Sequence, residues 1–176
     1  MGAAMASYNY FANIAKFPLL AIPFFILAGT IMDKASIAEK IVNLLRWLLG
    51  HFVGGLAIAA IAVAAFWGAV SGSTSATVAA IGTILIPGMI KAGYDRAFAT
   101  AVVCVASGLA IIIPPSITFI MYAVITGVSV GAIFAAGFLP GFVIAACLMV
   151  SAYITCRRKG IKRKKYTILS RASANS

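Results

Sequence analysis

Five hydroxyl side chains fall within seven residues in the most apolar part of this sequence. They are Ser71, Ser73, Thr74, Ser75 and Thr77, and Gly72 lies among them. Hydroxyl oxygens, together with carbonyl oxygens freed by a turn, are the ligands that a hard cation such as sodium takes. A single Ser or Thr in an apolar helix more often bonds to its own backbone. The density of this cluster nevertheless favours a binding site.

A second interruption lies further along the chain, where Gly108 is followed by Pro114, Pro115 and Ser116. Proline removes a hydrogen-bond donor and pushes the preceding residue out of helical geometry. We therefore predict a broken helix at this position. Helices that begin near Thr77 and Ser116 would direct their N-terminal N–H groups at an anionic substrate group.

Acid–base and covalent catalysis lack their usual residues at both interruptions. The three carboxylates, Asp33, Glu39 and Asp95, lie at the edges of apolar segments, and His51 is the single histidine. The pattern indicates binding of an ion and a small molecule. It indicates neither an enzyme nor a bound cofactor.

The three cysteines, Cys104, Cys147 and Cys156, are widely spaced in apolar sequence. An odd number with such spacing favours neither a disulfide framework nor a metal site. We expect buried free thiols that behave as small apolar side chains.

The composition is that of an integral membrane protein. Hydrophobic residues make up 63% of the 176 positions and charged residues only 10%, against about 25% charged in soluble domains. A soluble chain of this size cannot bury so much apolar surface. Eight of the fourteen basic residues lie between Arg157 and Arg171. We interpret them as a cytoplasmic tail beside anionic headgroups, not as a nucleic-acid surface.

The apolar segments predict an all-α membrane fold. We expect a first spanning helix at about 11–32, an interfacial amphipathic helix at 35–49, a broken transmembrane helix at 97–126 and a last spanning helix at 131–156. Residues 157–176 form the basic tail or an interrupted linker.

The segment 35–49 has helical amphipathicity. Its apolar face includes Leu44, Leu45 and Leu48, whereas Arg46 falls largely on the opposite, polar face. We expect this helix to lie along the membrane surface or to brace a neighbouring helix.

The uncharged run Phe52–Ile90 is too long for one crossing. Its 39 residues would make a helix of about 58 Å, against roughly 30 Å of hydrocarbon. The hydroxyl cluster carries the turn chemistry, and the arm after it, Val78–Ile90, has 13 residues. Such an arm is too short to span comfortably. We therefore predict a re-entrant helical hairpin over 52–90, with its tip partway through the membrane.

The positions of the basic residues agree with a hairpin. Lys34, Lys40 and Arg46 precede it, and Lys91 and Arg96 follow it. If the hairpin re-enters, both groups and the basic tail lie on one side, which the positive-inside rule makes the cytoplasm. A single crossing would place the second group and the tail outside.

Several segments, in order along the chain, resemble one known family. They are "IPFFILAGTIMDKASIAEKI", "GGLA", "GAVSGSTSATVAAIGTILIPGMIKAGYDRAFA", "IIIPPSI" and "AGFLPG". Over about residues 17–160 the chain is similar to the large membrane subunit of tripartite ATP-independent periplasmic (TRAP) transporters. Combined motifs of this length are specific.

The resemblance implies an elevator-type fold of two inverted repeats, each with a hairpin and a broken helix. It also implies sodium-driven uptake of an organic acid, often a dicarboxylate or sialic acid, across the bacterial inner membrane. The partners it implies are a periplasmic substrate-binding protein and a small membrane subunit, in a shell of membrane lipid.

The resemblance also assigns the site, because the hairpin tip matches a sodium site that the following break completes. Sodium is assigned to Ser71, Gly72, Ser73, Thr74, Gly108, Pro114 and Pro115. Substrate is assigned to Ser75, Thr77 and Ser116, although Ser75 also belongs to the tip that matches the sodium site.

Two features depart from the family pattern. Ala110 stands where many relatives carry a glycine, which would make the unwound segment less open. The chain also holds one of the two expected repeats, so we expect the second half of the large subunit to complete the site. The alternative is a membrane scaffold or assembly fragment that transports nothing. A channel is less favoured, because no charged ring or carbonyl filter is present.

Overall fold

The described part of the chain is helical throughout. A computed structural model describes residues 17–35, 37–49 and 54–160, together with Met5 and Tyr8. The elements are α1 Phe17–Lys34, α2 Ile37–Leu49, α3 Gly55–Ser71, α4 Thr74–Lys91, α5 Arg96–Ser107, a 3₁₀ turn Gly108–Ile111, α6 Ile117–Thr126 and α7 Val130–Arg158. The predicted all-α class is confirmed for these ranges.

Two of these helices are long and apolar enough to cross a membrane by length and composition, α4 with 18 residues and α7 with 29. Large apolar side chains also face outward, among them Ile125 at 77% and Leu139 at 74% exposure. Apolar surface of this kind suits contact with lipid. Residues 11–16 of the predicted first helix and residues 161–176 of the predicted tail lie outside the described ranges.

Helix α3 lies at the centre of the bundle. It contacts α1, α2, α4, α5, α7 and the 3₁₀ turn. Four of its alanines, Ala57, Ala59, Ala60 and Ala64, are fully buried. Small side chains let neighbouring backbones approach closely, which is how helices associate in lipid.

The hairpin of α3 and α4 turns over just two residues, Gly72 and Ser73. Gly72 has φ +60°, a left-handed conformation that costs glycine little. The cluster residues after Ser73 belong to α4, so the second arm has 18 residues from Thr74 to Lys91. The predicted 13-residue arm is therefore wrong. Ser and Thr favour turns and helix starts alike, and here they start a helix.

Helix α2 packs against the hairpin through a face that differs from the predicted apolar face. Val42 is fully buried, whereas Leu44 and Leu48 are more than half exposed. Arg46, predicted on the solvated face, instead donates from Nη2 to the Ile84 carbonyl of α4 at 3.3 Å. That carbonyl lies about one turn before Pro87. A proline inside a helix has no backbone N–H to donate, so the hydrogen bonding of the preceding turn is disturbed.

The ends of several helices meet at one end of the bundle. A side chain at Gly54 would lie 2.7 Å from Cys156 Cβ, so the start of α3 packs on the end of α7. Lys159 Nζ lies 5.4 Å from the centre of the Phe98 ring, which joins the end of α7 to the start of α5. We call this the basic end, after its charged residues Arg46, Lys91, Arg96, Arg157, Arg158 and Lys159.

The cysteines are all free, but only one is buried. Cys156 lies in the core, whereas Cys104 and Cys147 are exposed on the outside of the bundle. The prediction of buried thiols is wrong for these two positions. Apolar surroundings in a membrane protein include lipid as well as protein, and sequence does not separate the two.

Candidate functional site

The hydroxyls of the hairpin tip form a closed ring of hydrogen bonds that begins and ends on Ser73. The Ser73 N–H donates to Ser71 Oγ at 3.4 Å, and Ser71 Oγ lies 2.6 Å from Thr77 Oγ1. Thr77 Oγ1 donates to the Ser73 carbonyl at 2.8 Å. Since the Thr77 proton is used there, Thr77 Oγ1 accepts from Ser71, whose hydroxyl also lies within reach of the Ser73 carbonyl at 3.2 Å. The ring holds the two-residue turn against the first turn of α4.

This ring brings three oxygens together without a charged group. Ser71 Oγ, Thr77 Oγ1 and the Ser73 carbonyl oxygen lie between 2.6 and 3.2 Å from one another. Each hydroxyl has two lone pairs and accepts one bond within the ring. Of the two hydroxyls, Ser71 lines the cavity described below, whereas Thr77 is fully buried. The arrangement serves as a structural clasp for the turn, and an ion at this position remains a prediction.

Ser75 and the start of α4 extend the tip outward. Ser73 Oγ and Ser75 Oγ lie 3.2 Å apart, in an exposed pair. Ser73 is the N-cap of α4 and makes no capping bond with its side chain. The first N–H groups of α4 therefore have no side-chain cap from Ser73, and they carry the positive end of the helix dipole.

The break after α5 is built differently, from apolar residues and two prolines. The 3₁₀ turn Gly108–Ile111 leads into irregular backbone, in which the Pro114–Pro115 peptide bond is cis. Helix α6 then begins at Ile117 with Ser116 as its N-cap. The predicted broken helix is present.

The hydroxyls that flank the break are buried and bonded to nearby backbone. Ser107 Oγ donates to the Val103 carbonyl at 2.8 Å, and Ser116 Oγ donates to the Ile111 carbonyl at 3.0 Å. Both serines are fully buried. They stabilise the ends of the break rather than opening onto a cavity.

The tip and the break lie at similar distances from the basic end. Helix α3 has 17 residues, which corresponds to about 25 Å before the tip. Helix α5 has 12 residues, or about 18 Å before the break begins. The four residues of the 3₁₀ turn add about 8 Å to the second length, so the irregular backbone after it begins at about the depth of the tip.

One glycine makes their contact possible. A side chain at Gly68 would lie 2.7 Å from Ala110 Cα, 2.8 Å from its Cβ and 3.0 Å from its N. Helix α3 and the 3₁₀ turn thus pack backbone against backbone, one turn before the tip. Ala110 is fully buried here. The spacing Gly68-x-x-x-Gly72 is a weak sequence signal for close helix packing, but it does not identify Ala110 as the partner.

The other side of the break packs on α7 through two further glycines. A side chain at Gly141 would lie 2.7 Å from Ile113 Cγ1, and one at Gly137 would lie 3.0 Å from the Ile112 carbonyl oxygen. Gly137 also abuts Phe119. Close packing of small residues therefore holds the irregular backbone from both sides.

A cavity of about 320 Å³ opens beside the tip. Ser71 and Ser73 line it from the hairpin, Gly29 and Thr30 from α1, and Ile117 from the start of α6. Trp67 forms part of its wall. No role in the site was predicted for α1. The one sequence signal for such a role is the small and polar pair Gly29-Thr30 within an apolar helix.

The predicted site residues thus separate into two groups. Ser71 and Ser73 reach the cavity, and Ser75 is exposed beside them. Thr77 and Ser116 are fully buried, and their hydroxyls are hydrogen-bonded to backbone carbonyls. Their predicted role therefore depends on the backbone N–H groups of the two helix starts and not on their side chains.

The remaining predicted residues shape the backbone of the tip and of the break. Gly72 forms the turn, Thr74 is the first residue of α4, and Gly108, Pro114 and Pro115 form the break. Ion and substrate roles for all ten residues remain predictions. Within the described ranges, no group of three or more His, Cys, Asp or Glu side chains is placed to hold a metal.

Comparison with known families agrees with these motifs. The family model "Tripartite ATP-independent periplasmic transporter, DctM component" matches residues 2–175. The chain belongs to the DctM family. The resemblance found in the sequence is confirmed, and the matched range includes both the hairpin tip and the break.

Several TRAP transporter permease proteins are similar to this chain. It is 44% identical over 163 residues to the C4-dicarboxylate TRAP transporter large permease protein DctM of Vibrio cholerae, which covers 93% of this chain and 36% of that one. It is 41% identical to the ectoine TRAP transporter large permease protein TeaC of Halomonas elongata, covering 85% and 35%. It is 40% identical to the isethionate TRAP transporter permease protein DctMQ of Oleidesulfovibrio alaskensis, covering 86% and 24%. The chain therefore spans about a quarter to a third of the length of these DctM relatives.

Proposed function

We propose that this chain forms part of the membrane permease of a sodium-coupled, binding-protein-dependent TRAP transporter that imports organic acids. It would act in the bacterial inner membrane with a small membrane subunit, a periplasmic binding protein and the remaining part of the large subunit. The observation that carries the proposal is the hydroxyl ring at the hairpin tip, which opens onto the cavity beside the broken helix.

The tip suits sodium because it offers oxygen ligands without fixed charge. Ser71 and Ser73 are the cavity-lining members of the ring, and Ser75 extends them. Paired interruptions of this kind are the usual binding-site device of secondary transporters, where irregular backbone is buried by protein or lines a cavity.

An anionic substrate suits the two helix starts beside the cavity, because Ser73, the N-cap of α4, and Ile117 of α6 both line it. Helix α4 begins at Thr74 and α6 at Ile117, and Ile117 lines the cavity. Their free N–H groups favour a carboxylate or a sulfonate. The three relatives above are named for C4-dicarboxylate, ectoine and isethionate, and each of these compounds carries such a group. We propose the same chemical class here.

The basic end is proposed to face the cytoplasm. Residues from α2, α4, α5 and α7 bring basic side chains to that end, as the positive-inside rule asks. The hairpin then enters from the cytoplasmic side. Its arms, at about 25 Å for α3 and about 27 Å for α4, come close to a core of roughly 30 Å, so the charge pattern supports re-entry and the lengths do not.

Sodium dependence of uptake tests the proposed ion site. The complete transporter, formed by this chain with the rest of the large subunit, the small subunit and a binding protein, is reconstituted in vesicles. In the S73A/S75A variant we expect the sodium concentration for half-maximal uptake to rise about tenfold, because two oxygen ligands are lost. Thr83→Ala is the matched control, since the Thr83 hydroxyl lies on the same helix and bonds to its own backbone.

The results separate the proposal from its alternative. Uptake with unchanged sodium dependence in the variant would remove the tip from the ion site. If the assembly with this chain transports nothing while a full-length relative does so in the same vesicles, the chain is a scaffold or assembly fragment.

Labelling of single cysteines tests the proposed re-entry. Lys40→Cys and Arg96→Cys, placed after replacement of the exposed Cys104 and Cys147, should both react with an impermeant reagent from the cytoplasm. Ser129→Cys, in the turn between α6 and α7, should react from the other side. Labelling of the first two positions from opposite faces would exclude a re-entrant hairpin.

A further inference from the structure

A second, smaller cavity lies far from the hairpin tip, between α5 and α7. It has a volume of about 170 Å³, and its lining is mainly apolar. Ala101 and Val105 contribute from α5, Leu148 from α7, and Ile61 of α3 lies alongside them. Phe98 and Thr155 line the groove toward the basic end, where Lys159 lies over the Phe98 ring. Nothing in the proposed transport site uses this groove.

The groove has one apolar end and one charged end. On α7, the lining residues Leu148, Ser151 and Thr155 follow helical spacing, and Lys159 continues the same row four residues after Thr155. Lys159 therefore stands above the groove entrance. Arg157 and Arg158 precede it at the end of the helix.

One carboxylate lies near this entrance and has another role. Asp95 is the N-cap of α5, and its carboxylate accepts a hydrogen bond from the Phe98 N–H at 3.2 Å. Arg158 and Lys159, three and four residues after Thr155, are on the groove side of α7 and leave the entrance positive against this one capping carboxylate.

The distance along α7 from the apolar end of the groove to Lys159 matches one leaflet of a membrane. Leu148 and Lys159 are eleven positions apart, which corresponds to about 16 Å along a helix. The hydrocarbon core is roughly 30 Å thick, so a single leaflet accounts for about half of it. A molecule with a negative head and an apolar chain of one-leaflet length fits this shape and charge.

We propose that the groove binds an anionic phospholipid. Its phosphate lies at Lys159 and Arg158, and an acyl chain lies against Ala101, Val105 and Leu148. The Ser151 hydroxyl, on the groove wall, can donate to an ester carbonyl. Basic pockets between transmembrane helices are a known way to recognise anionic headgroups. The lipid would link the end of α7 to the start of α5.

Native mass spectrometry of the full chain in detergent tests the site. The protein is titrated with dioleoyl-phosphatidylglycerol or with dioleoyl-phosphatidylcholine, which have the same chains and different head charge. We expect phosphatidylglycerol to bind at least about tenfold more tightly. The K159Q variant should lose about fivefold in phosphatidylglycerol affinity, and R158Q/K159Q about thirtyfold, because each basic residue near the membrane surface contributes about that factor. Lys40→Gln, on α2 away from the groove, should change the affinity less than twofold.

A second pair of variants tests the acyl-chain half of the site. Ala101→Phe fills the groove from an exposed position, and we expect it to weaken both lipids. Ala146→Phe places the same side chain at an exposed position of α7 outside the groove lining, and both affinities should persist.

Three results would overturn the proposal. Equal binding of the two lipids would indicate an apolar surface that another protein segment covers. Equal effects of Lys159→Gln and Lys40→Gln would indicate general surface charge. Binding that is unaffected by Ala101→Phe would place the lipid elsewhere on the surface.

Discussion

The hairpin tip and the helix break interrupt the same bundle by opposite means. At the tip, a glycine with φ +60° turns the chain, and side-chain hydroxyls bond to one another around it. At the break, two prolines stop the helix, and glycines on α3 and α7 let neighbouring backbone press against it. The tip opens onto a cavity of about 320 Å³, whereas the hydroxyls at the break are fully buried.

This difference assigns different tasks to the two interruptions. Ligand atoms that can reach a solute belong mainly to the tip, at Ser71 and Ser73. The break contributes a helix start at Ile117 and a rigid, closely packed backbone behind it. Substitutions at the tip should therefore act through lost hydrogen bonds, and substitutions around the break through steric overlap.

The largest effect is expected for Gly68→Ala, at the contact between the two interruptions. The added Cβ would overlap the backbone of Ala110 at 2.7 Å. We expect a loss of about 3 kcal/mol in the free energy of unfolding, the upper range for an overpacked core. Denaturation of the purified chain in mixed detergent micelles measures it.

Gly82→Ala is the matched control for this prediction. Gly82 is also a buried helical glycine of the hairpin, but its added Cβ would meet only side chains, at 3.6 Å or more. Stability should stay equal or rise, because alanine has the higher helix propensity. Equal losses in both variants would show that the contact at Ala110 is not special.

Sequence alone located both interruptions, for different physical reasons. The uncharged run is too long for one membrane crossing, so it predicts that the chain reverses direction. Gly72 and its hydroxyl neighbours mark the position of that turn. Pro114 and Pro115 marked the break because proline acts on its local backbone in any context. These are local effects, so they are visible in a sequence.

The misses are all tertiary. The second arm begins at Thr74 because the cluster residues start a helix instead of forming a longer turn, and packing decides between these two conformations. Arg46 faces α4, since a carbonyl near Pro87 lies within its reach. The contact between Gly68 and Ala110, and the part that Thr30 plays in the cavity, join segments far apart in the chain. No local pattern encodes such pairs.

A smaller loss is expected when the ring at the tip is opened. Thr77→Val keeps the shape of a fully buried side chain but removes the hydroxyl that joins Ser71 to the Ser73 carbonyl. We expect a cost of about 1.5 kcal/mol, because two hydrogen bonds of a fully buried hydroxyl are lost. Ser71 Oγ still has the Ser73 carbonyl as an acceptor at 3.2 Å. The same micelle denaturation measures it.

Ser107→Ala provides the comparison at the break. Its hydroxyl bonds to the Val103 carbonyl within the helix, so its removal strands no second side chain and should cost less than about 1 kcal/mol. If Ser107→Ala costs as much as Thr77→Val, the ring has no special role in the stability of the tip.

Gly72→Ala should cost about 1 kcal/mol, since an L-residue with a side chain is strained at φ +60°. Asparagine tolerates this conformation better than alanine does, so Gly72→Asn should recover part of the loss. Stability of both variants is measured by the same titration. An unstrained Gly72→Ala would mean that the turn adopts a different backbone conformation.

The smallest effect is expected for Gly108→Ala, a substitution at the first residue of the break. Gly108 has φ −59°, and an added Cβ there would meet nothing within 4 Å. Stability should change by less than about 0.5 kcal/mol. Neither backbone strain nor packing then requires a glycine at this position, in contrast to Gly72.

If Gly108→Ala leaves the fold intact but lowers sodium-dependent uptake in the complete transporter, the open space at Gly108 serves the ion, the substrate or a moving part. If uptake is also unchanged, Gly108 leaves the predicted ion site, which then consists of the tip residues with Pro114 and Pro115.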